Sequence, residues 1–271
     1  GPVTFTKNNL TKPADFGFKI KEVNNSTGGS LSYTVNRTMM RINLPQPLAP
    51  GNTFEFSIRW NYLINNSGTD GGRSGFELFP DGNKNFTIAQ FFPRLAVYDN
   101  VEGWQNMQFW GRSEWALEFG DYDVKITVPA DHIVDATGEL LNEKKVLTKE
   151  QRVRFEKART SFKDPVFIVT QEEAEKAEKL KSKKSKTWHF NAKNVRDFAF
   201  ASSRKYIWDA MAVNINGKTI MAVSLYPKEG NPLWEEHSTR VVANTLEEYS
   251  KMTFDYPYSK AISVHADRQG M

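Results

Sequence analysis

Between Phe54 and Tyr62 the chain alternates apolar and polar residues without a break: Phe54-Glu55-Phe56-Ser57-Ile58-Arg59-Trp60-Asn61-Tyr62. A period of two places Phe54, Phe56, Ile58 and Trp60 on one pleat face and the polar side chains on the other, which suits a half-buried strand and not a helix. The pattern recurs. Ser32-Tyr33-Thr34-Val35, Met39 to Leu44, Phe86 to Phe92 and Tyr122 to Val128 read as further strands, separated by Pro45 to Gly51, the Gly/Ser/Asn loop from Asn65 to Ser74, and Pro129. Short strands punctuated in this way predict an antiparallel sandwich or open barrel.

The period changes at Leu147. Thr148-Lys149-Glu150-Gln151 and Thr170-Gln171-Glu172-Glu173 both read as helix caps, and Val153, Phe155, Ala158 and Phe162 follow roughly helical spacing. Residues 148–185 are therefore expected to form a helical insertion, broken at Pro165, before strands resume at Thr187 to Phe190 and Phe198 to Ala201. Farther on, Ile207 to Val213 and Thr219 to Leu225 flank Asn216-Gly217, a two-residue hairpin turn. Apolar residues at 234, 241, 242, 245, 246, 249 and 252 then give helical spacing over about five turns. A strand begins at Ala261. The fold class expected is mainly β: an antiparallel sandwich or saddle-like domain over 1–203 with its helical insertion, then an incomplete α+β segment over 204–271.

Composition closes several alternatives. The 271 residues contain no cysteine, which removes disulfide scaffolds, Cys-ligated zinc and thiol nucleophiles. No stretch reaches the roughly 18 apolar residues needed to span a bilayer. Seven Trp, nine Tyr and nineteen Phe demand burial, so the chain is not disordered. The formal net charge is +4, yet residues 149–186 alone hold twelve Lys/Arg against seven Asp/Glu. Lys179 to Lys186 is lysine and serine without interleaved aromatics, so it reads as a solvated helix end and not as a nucleic-acid surface. Gly1-Pro2-Val3-Thr4-Phe5 lacks a signal peptide, and both ends of the sequence read as cut.

The residues assemble no catalytic constellation. His132, His189, His237 and His265 stand at no ligand spacing, and neither H-E-x-x-H, G-x-S-x-G nor a phosphate-binding glycine loop occurs. Glu235-Glu236-His237 reads as solvated charges on a helix, and His265 as a structural hydrogen bond. Phe91, Phe92, Tyr98, Trp104, Phe109, Trp110 and Trp115 form an aromatic cluster that suits core packing; its other reading is a platform that stacks sugars.

Two blocks carry a family resemblance. Ala89-Gln90-Phe91-Phe92-Pro93-Arg94 runs through Val97-Tyr98-Asp99 to Gly103-Trp104, and Val128-Pro129-Ala130-Asp131-His132 leads to Ala136-Thr137-Gly138-Glu139-Leu140. Together they resemble the amino-terminal β-domain of the aminopeptidase N-type zinc metallopeptidases (gluzincin aminopeptidases) of Bacteroidetes-like bacteria. Asn244 to Tyr249, Phe254 to Tyr258 and Val264 to Met271 resemble the start of that family's thermolysin-like domain, which leads into the motif G-x-M-E-N. Gln269 departs from the motif's first Gly; Gly270 and Met271 match its next two positions.

The resemblance implies a fragment of an enzyme that removes single N-terminal residues from peptides. It implies zinc as the parent's cofactor, held by a downstream H-E-x-x-H and a later Glu, with no zinc ligand and no catalytic residue in this chain. Gln90 matches the β-domain residue that touches the substrate's first residue, and Gly270 and Met271 belong to the substrate-binding motif. The implied partners are a peptide substrate and the rest of the catalytic domain, and the implied location is the bacterial envelope after export. The reading from another class is a non-catalytic β-sandwich module that binds glycans or a protein partner.

Overall fold

The computed structural model describes residues 15–72, 74–108 and 116–266. The alternating stretch forms strand β4 (Phe56–Asn61), which pairs antiparallel with β1 (Lys19–Asn25). Strand β1 escapes a reading by hydrophobicity because Lys19, Lys21 and Glu22 interrupt its alternation. Two more ribbons, β2 (Tyr33–Asn36) with β3 (Met39–Ile42) and β7 (Tyr98–Asp99) with β8 (Gly103–Trp104), belong to the same compact unit, residues 1–65 and 93–118. Among the described hydrophobic residues of this unit only Val23 and Leu31 are buried. The apolar face predicted for β4 forms, but Phe56 stays 42% exposed and Phe54, Ile58 and Trp60 are half-buried. A two-stranded ribbon has one layer, and its apolar face is covered only where a second layer exists.

Residues 66–92 and 119–271 form the second unit, which carries the core. Strands β5 (Gly75–Leu78), β6 (Lys84–Ile88), β10 (Ile133–Ala136) and β14 (Phe200–Ser203) make a four-stranded sheet in the order β10-β14-β6-β5. Strands β9 (Gly120–Pro129), β11 (Glu139–Leu140) and β13 (Ser185–Val195) make a second, ordered β11-β13-β9. Asn216 and Gly217, at φ 48° and 85°, join β15 (Ile207–Ile215) to β16 (Lys218–Tyr226) as the hairpin expected. Trp188, Phe190, Phe198, Ile168 and Leu225 are fully buried between these layers.

The segment 148–185 is more than a helical insertion. After the short helices α1 (Ser67–Asp70) and α2 (Glu143–Val146), its helices α3 (Lys149–Ala158) and α4 (Gln171–Leu180) start at the expected places, each with a complete capping box on Thr148 or Thr170. Between them Val166–Val169 is a strand, β12, paired with β15. Helix α3 ends at Ala158, seven residues before the expected break at Pro165, and the four consecutive β-formers after the proline find a partner about forty residues downstream. The lysine-rich stretch after α4 is largely solvated, as expected, with Lys186 as the exception. Its ammonium donates to the Val146 carbonyl at 3.1 Å and lies 4.9 Å from the Trp188 ring centroid, and burial lowers its pKa to about 8.

A π-helical turn (Trp234–Ser238) leads into α5 (Thr239–Met252), the long helix that the spacing predicted. It buries Thr239, Ala243 and Leu246 on the β15–β16 sheet and leaves Val241, Tyr249 and Met252 more than half exposed. The helix connects β16 to β17 (Lys260–Val264), which are parallel, and a parallel pair requires such a crossover. The sheet order is β12-β15-β16-β17.

Candidate functional site

Gln90 lies two residues beyond the end of β6, where the strand's ladder to β14 has stopped at Ile88 and Phe200. Its φ is +55°, in the left-handed region that non-glycine residues rarely occupy, and such strain is held only where surrounding packing over-determines it. That packing is visible. The rings of Phe91 and Phe92 meet edge to face at 5.1 Å, Phe91 meets Phe200 at 5.3 Å, and Phe92 meets Tyr122 at 5.8 Å. On the other side Ser74 Oγ accepts from the Ala89 N–H at 3.1 Å. Two anchored aromatics after Gln90 and a tethered residue before it hold the half-buried Gln90 at the end of the sheet. Gly270 and Met271 lie outside the described residues.

Two long-range contacts place β17. Lys260, at the start of β17, pairs with Asp135 on β10, and His265, just past its end, meets Glu77 on β5 with Nε2 3.2 Å from Oε2. Because β10 and β5 are opposite edges of the four-stranded sheet, β17 crosses that sheet from edge to edge. Trp234 stacks edge-on against His265, 5.7 Å between centroids. His265 thus makes the structural contact expected of it, while Glu77, 188 residues away in sequence, carries no local signal that would find it.

Buried polar groups frame the same layers. Tyr206 is fully buried, its hydroxyl finds no partner among the described residues, and burial followed by the charge of Glu77 raises its pKa. Asp209, under the first turn of α5, accepts from Tyr226 Oη at 2.6 Å and from Thr239 Oγ1; burial nevertheless lifts its pKa to about 6. Ser224, Ser238 and Ser263 continue this polar seam as a chain of hydroxyls at 2.8 and 3.1 Å. Lys205 is completely buried and reaches Glu178 and Glu229 at 2.8 Å and Asp81 at 3.1 Å. Burial opposes its charge, but these three carboxylates outweigh it and raise its pKa.

The histidines stay apart. His132 is buried against Ser202 Oγ at 2.9 Å, with its pKa lowered to about 4 by burial and then by Arg204. His189 meets Asp123, and His237 and Glu236 are exposed as read from the sequence. Among the described residues no group of three or more His, Cys, Asp or Glu stands where it could hold a metal ion, so these side chains do not form a zinc donor set. The aromatic cluster divides: Phe91 and Phe92 pack on the core, whereas Tyr98 and Trp104 are 61% and 55% exposed and meet edge to face at 5.3 Å across the β7–β8 ribbon. Phe109, Trp110 and Trp115 lie outside the described residues.

No family model matches the chain, and no curated protein matches it. Solved structures do match. The M1 zinc metallopeptidase from Deinococcus radiodurans superposes with a TM-score of 0.56 at 14% identity, over 95% of this chain and 48% of that one. A two-domain M1 zinc metallopeptidase mutant bound to L-tryptophan gives 0.55 at 14% identity, over 95% and 49%. A mutant of the Deinococcus radiodurans enzyme bound to a Tyr-Ser-Ala substrate gives 0.53, again at 14% identity and over 95% and 49%. The chain therefore spans about half the length of the M1 zinc metallopeptidases that share its β-rich fold.

Proposed function

We propose that this chain is part of a zinc-dependent aminopeptidase: the amino-terminal β-domain over 1–203 and the opening of the thermolysin-like catalytic domain over 204–271. The observation that carries the reading is the fold likeness over 95% of the chain to M1 zinc metallopeptidases, one of them holding a tripeptide substrate. The strained, braced position of Gln90 fits the role that the sequence resemblance gives it. Its carbonyl oxygen accepts from the substrate's terminal ammonium, while Gly270 and Met271 belong to the motif that lines the same substrate. Zinc, the activating carboxylate and the oxyanion donor come from the rest of the catalytic domain. The whole protein acts on peptides in the bacterial envelope, and this chain alone binds no zinc and hydrolyses nothing.

Reading the coding DNA past the codon for Met271 tests the proposal first. A Glu codon directly after it and H-E-x-x-H farther on sustain the reading; a stop codon or unrelated sequence ends it. In the complete enzyme, Gln90→Ala is expected to raise KM for an aminoacyl-anilide about tenfold, the loss of one hydrogen bond to a charged group. An unchanged KM removes Gln90 from the site.

The exposed Tyr98–Trp104 pair favours a second reading, a non-catalytic module that stacks a sugar on these rings. Glycan-array binding that disappears in Trp104→Ala or Trp110→Ala would establish it and displace the peptidase assignment.

A further inference from the structure

The sequence contains a single Asn-Gly pair, Asn216-Gly217, and the fold sets both residues at the exposed tip of the β15–β16 hairpin. Glycine carries no side chain to shield its backbone nitrogen from the Asn216 carboxamide. The surroundings are open as well, since a Cβ at Gly217 would meet no heavy atom within 4 Å. Two hydrogen bonds engage the two groups that would react with each other. Asn216 Nδ2 donates to Asp255 Oδ1 at 2.7 Å, and the Gly217 N–H donates to Asn214 Oδ1 at 2.9 Å. Asp255 lies in the loop between α5 and β17, and its carboxylate has no other polar partner among the described residues.

An unrestrained Asn-Gly pair reacts with itself. The glycine nitrogen, deprotonated by hydroxide, attacks the asparagine Cγ; the N–Cγ bond forms, the Cγ–Nδ2 bond breaks and ammonia leaves, closing a five-membered succinimide. Water opens the ring at either carbonyl to aspartate or isoaspartate. The sum is amide plus water to carboxylate plus ammonium, with no change of oxidation state. In the folded chain the attack requires the carboxamide to leave Asp255 and the Gly217 N–H to leave Asn214. We propose that Asn216 is a site of spontaneous deamidation whose rate Asp255 sets, and that the reaction unties the hairpin turn from the loop before β17. A carboxylate at position 216 faces Asp255 with like charge where a hydrogen bond stood. The tie that remains is the Lys218 ammonium on the Pro257 carbonyl at 2.6 Å. Isoaspartate also adds one carbon to the backbone of a two-residue turn, which disturbs the adjoining Ile215–Lys218 pair.

The test is incubation of the purified chain in warm, mildly alkaline buffer, followed by peptide mass spectrometry for amide-to-acid conversion and an isoaspartate assay. Asn216 is expected to react ahead of the other asparagines. Asp255→Ala is expected to speed the reaction about tenfold, the loss of one hydrogen bond to a charged group. Asp255→Asn, which keeps an acceptor oxygen and drops the charge, is expected to fall between. In urea all three chains are expected to react at one rate, because only the fold brings position 255 to the turn. In Asn216→Asp, which mimics one product, the amides of Asp255, Tyr256 and Tyr258 are expected to exchange faster, while those of Met211 and Val223 keep their protection and report an intact sheet. Earlier conversion of another asparagine, or equal rates in the folded parent and folded Asp255 variants, overturns the proposal; unchanged exchange in Asn216→Asp overturns its second half. The readout is the chemistry of this chain alone, so it stands or falls apart from the aminopeptidase reading.

Discussion

His132 and Asp209 are buried ionisable residues whose shifts oppose each other. For His132 the folded pKa of about 4 lies below the ordinary 6.5, so its contribution to stability is whole above pH 6.5 and lost as pH falls toward 4. For Asp209 the folded pKa of about 6 lies above the ordinary 3.8, so its contribution is whole below pH 3.8 and lost as pH rises toward 6. Each shift corresponds to about 3 kcal/mol, and between about pH 4 and 6 the two slopes cancel. Urea unfolding at several pH values is expected to show stability rising with pH in Asp209→Asn and falling with pH in His132→Gln. Parallel curves for both variants and the parent chain would refute this. Lys205 gives a second prediction at this scale. Lys205→Met leaves Glu178, Glu229 and Asp81 facing one another without their shared cation, at an expected loss of about 3–5 kcal/mol. Adding Glu178→Leu is expected to recover part of that loss, and a double-mutant cycle by chemical denaturation measures the coupling. Neither site was legible in sequence, because burial and a partner dozens of residues away are what move a pKa.

Elements built from local chemistry were legible in detail. The Thr148 and Thr170 capping boxes start α3 and α4 where the motif places them, since the cap uses only atoms within four residues. Thr170→Ala is expected to cost about 1 kcal/mol in a thermal melt. It removes the hydroxyl that accepts from the Glu173 N–H at 3.3 Å, while the Glu173 carboxylate still accepts from the Thr170 N–H at 2.9 Å and from Arg154 at 2.6 and 2.7 Å. Gly138, in the turn from β10 to β11, has φ +84°, and a Cβ there would lie 2.2 Å from the Asn191 carbonyl oxygen. Gly138→Ala is therefore expected to lose about 3 kcal/mol or more, against a few tenths for an ordinary surface change. A melting temperature within a degree of the parent chain's would contradict the close approach. Strands β5, β10 and β12 were not legible, because four-residue runs carry too little period to separate strand from loop, and partners remote in sequence decide them.

For the molecule as a whole, burial is unequal between the two units. Residues 1–65 with 93–118 bury Val23 and Leu31 among their described hydrophobics, whereas the second unit buries Trp188, Phe190, Phe198 and their neighbours. Amides of β1 and β4 are expected to exchange with solvent at least about a hundredfold faster than those of β15 and β16, and equal protection by hydrogen exchange would show that the first unit is stabilised as strongly as the second. The sequence alone determined the β-rich class, the helix starts, the Asn216-Gly217 hairpin and the α5 spacing, because period, caps and turn residues act over a few positions. Only the tertiary structure decided that Val166 to Val169 joins the β15 sheet and that β17 crosses from Asp135 to Glu77. It alone set Lys205 among three carboxylates and brought Asp255 to the Asn216 carboxamide. These depend on which distant residues meet once the chain is packed, and no local spacing encodes that.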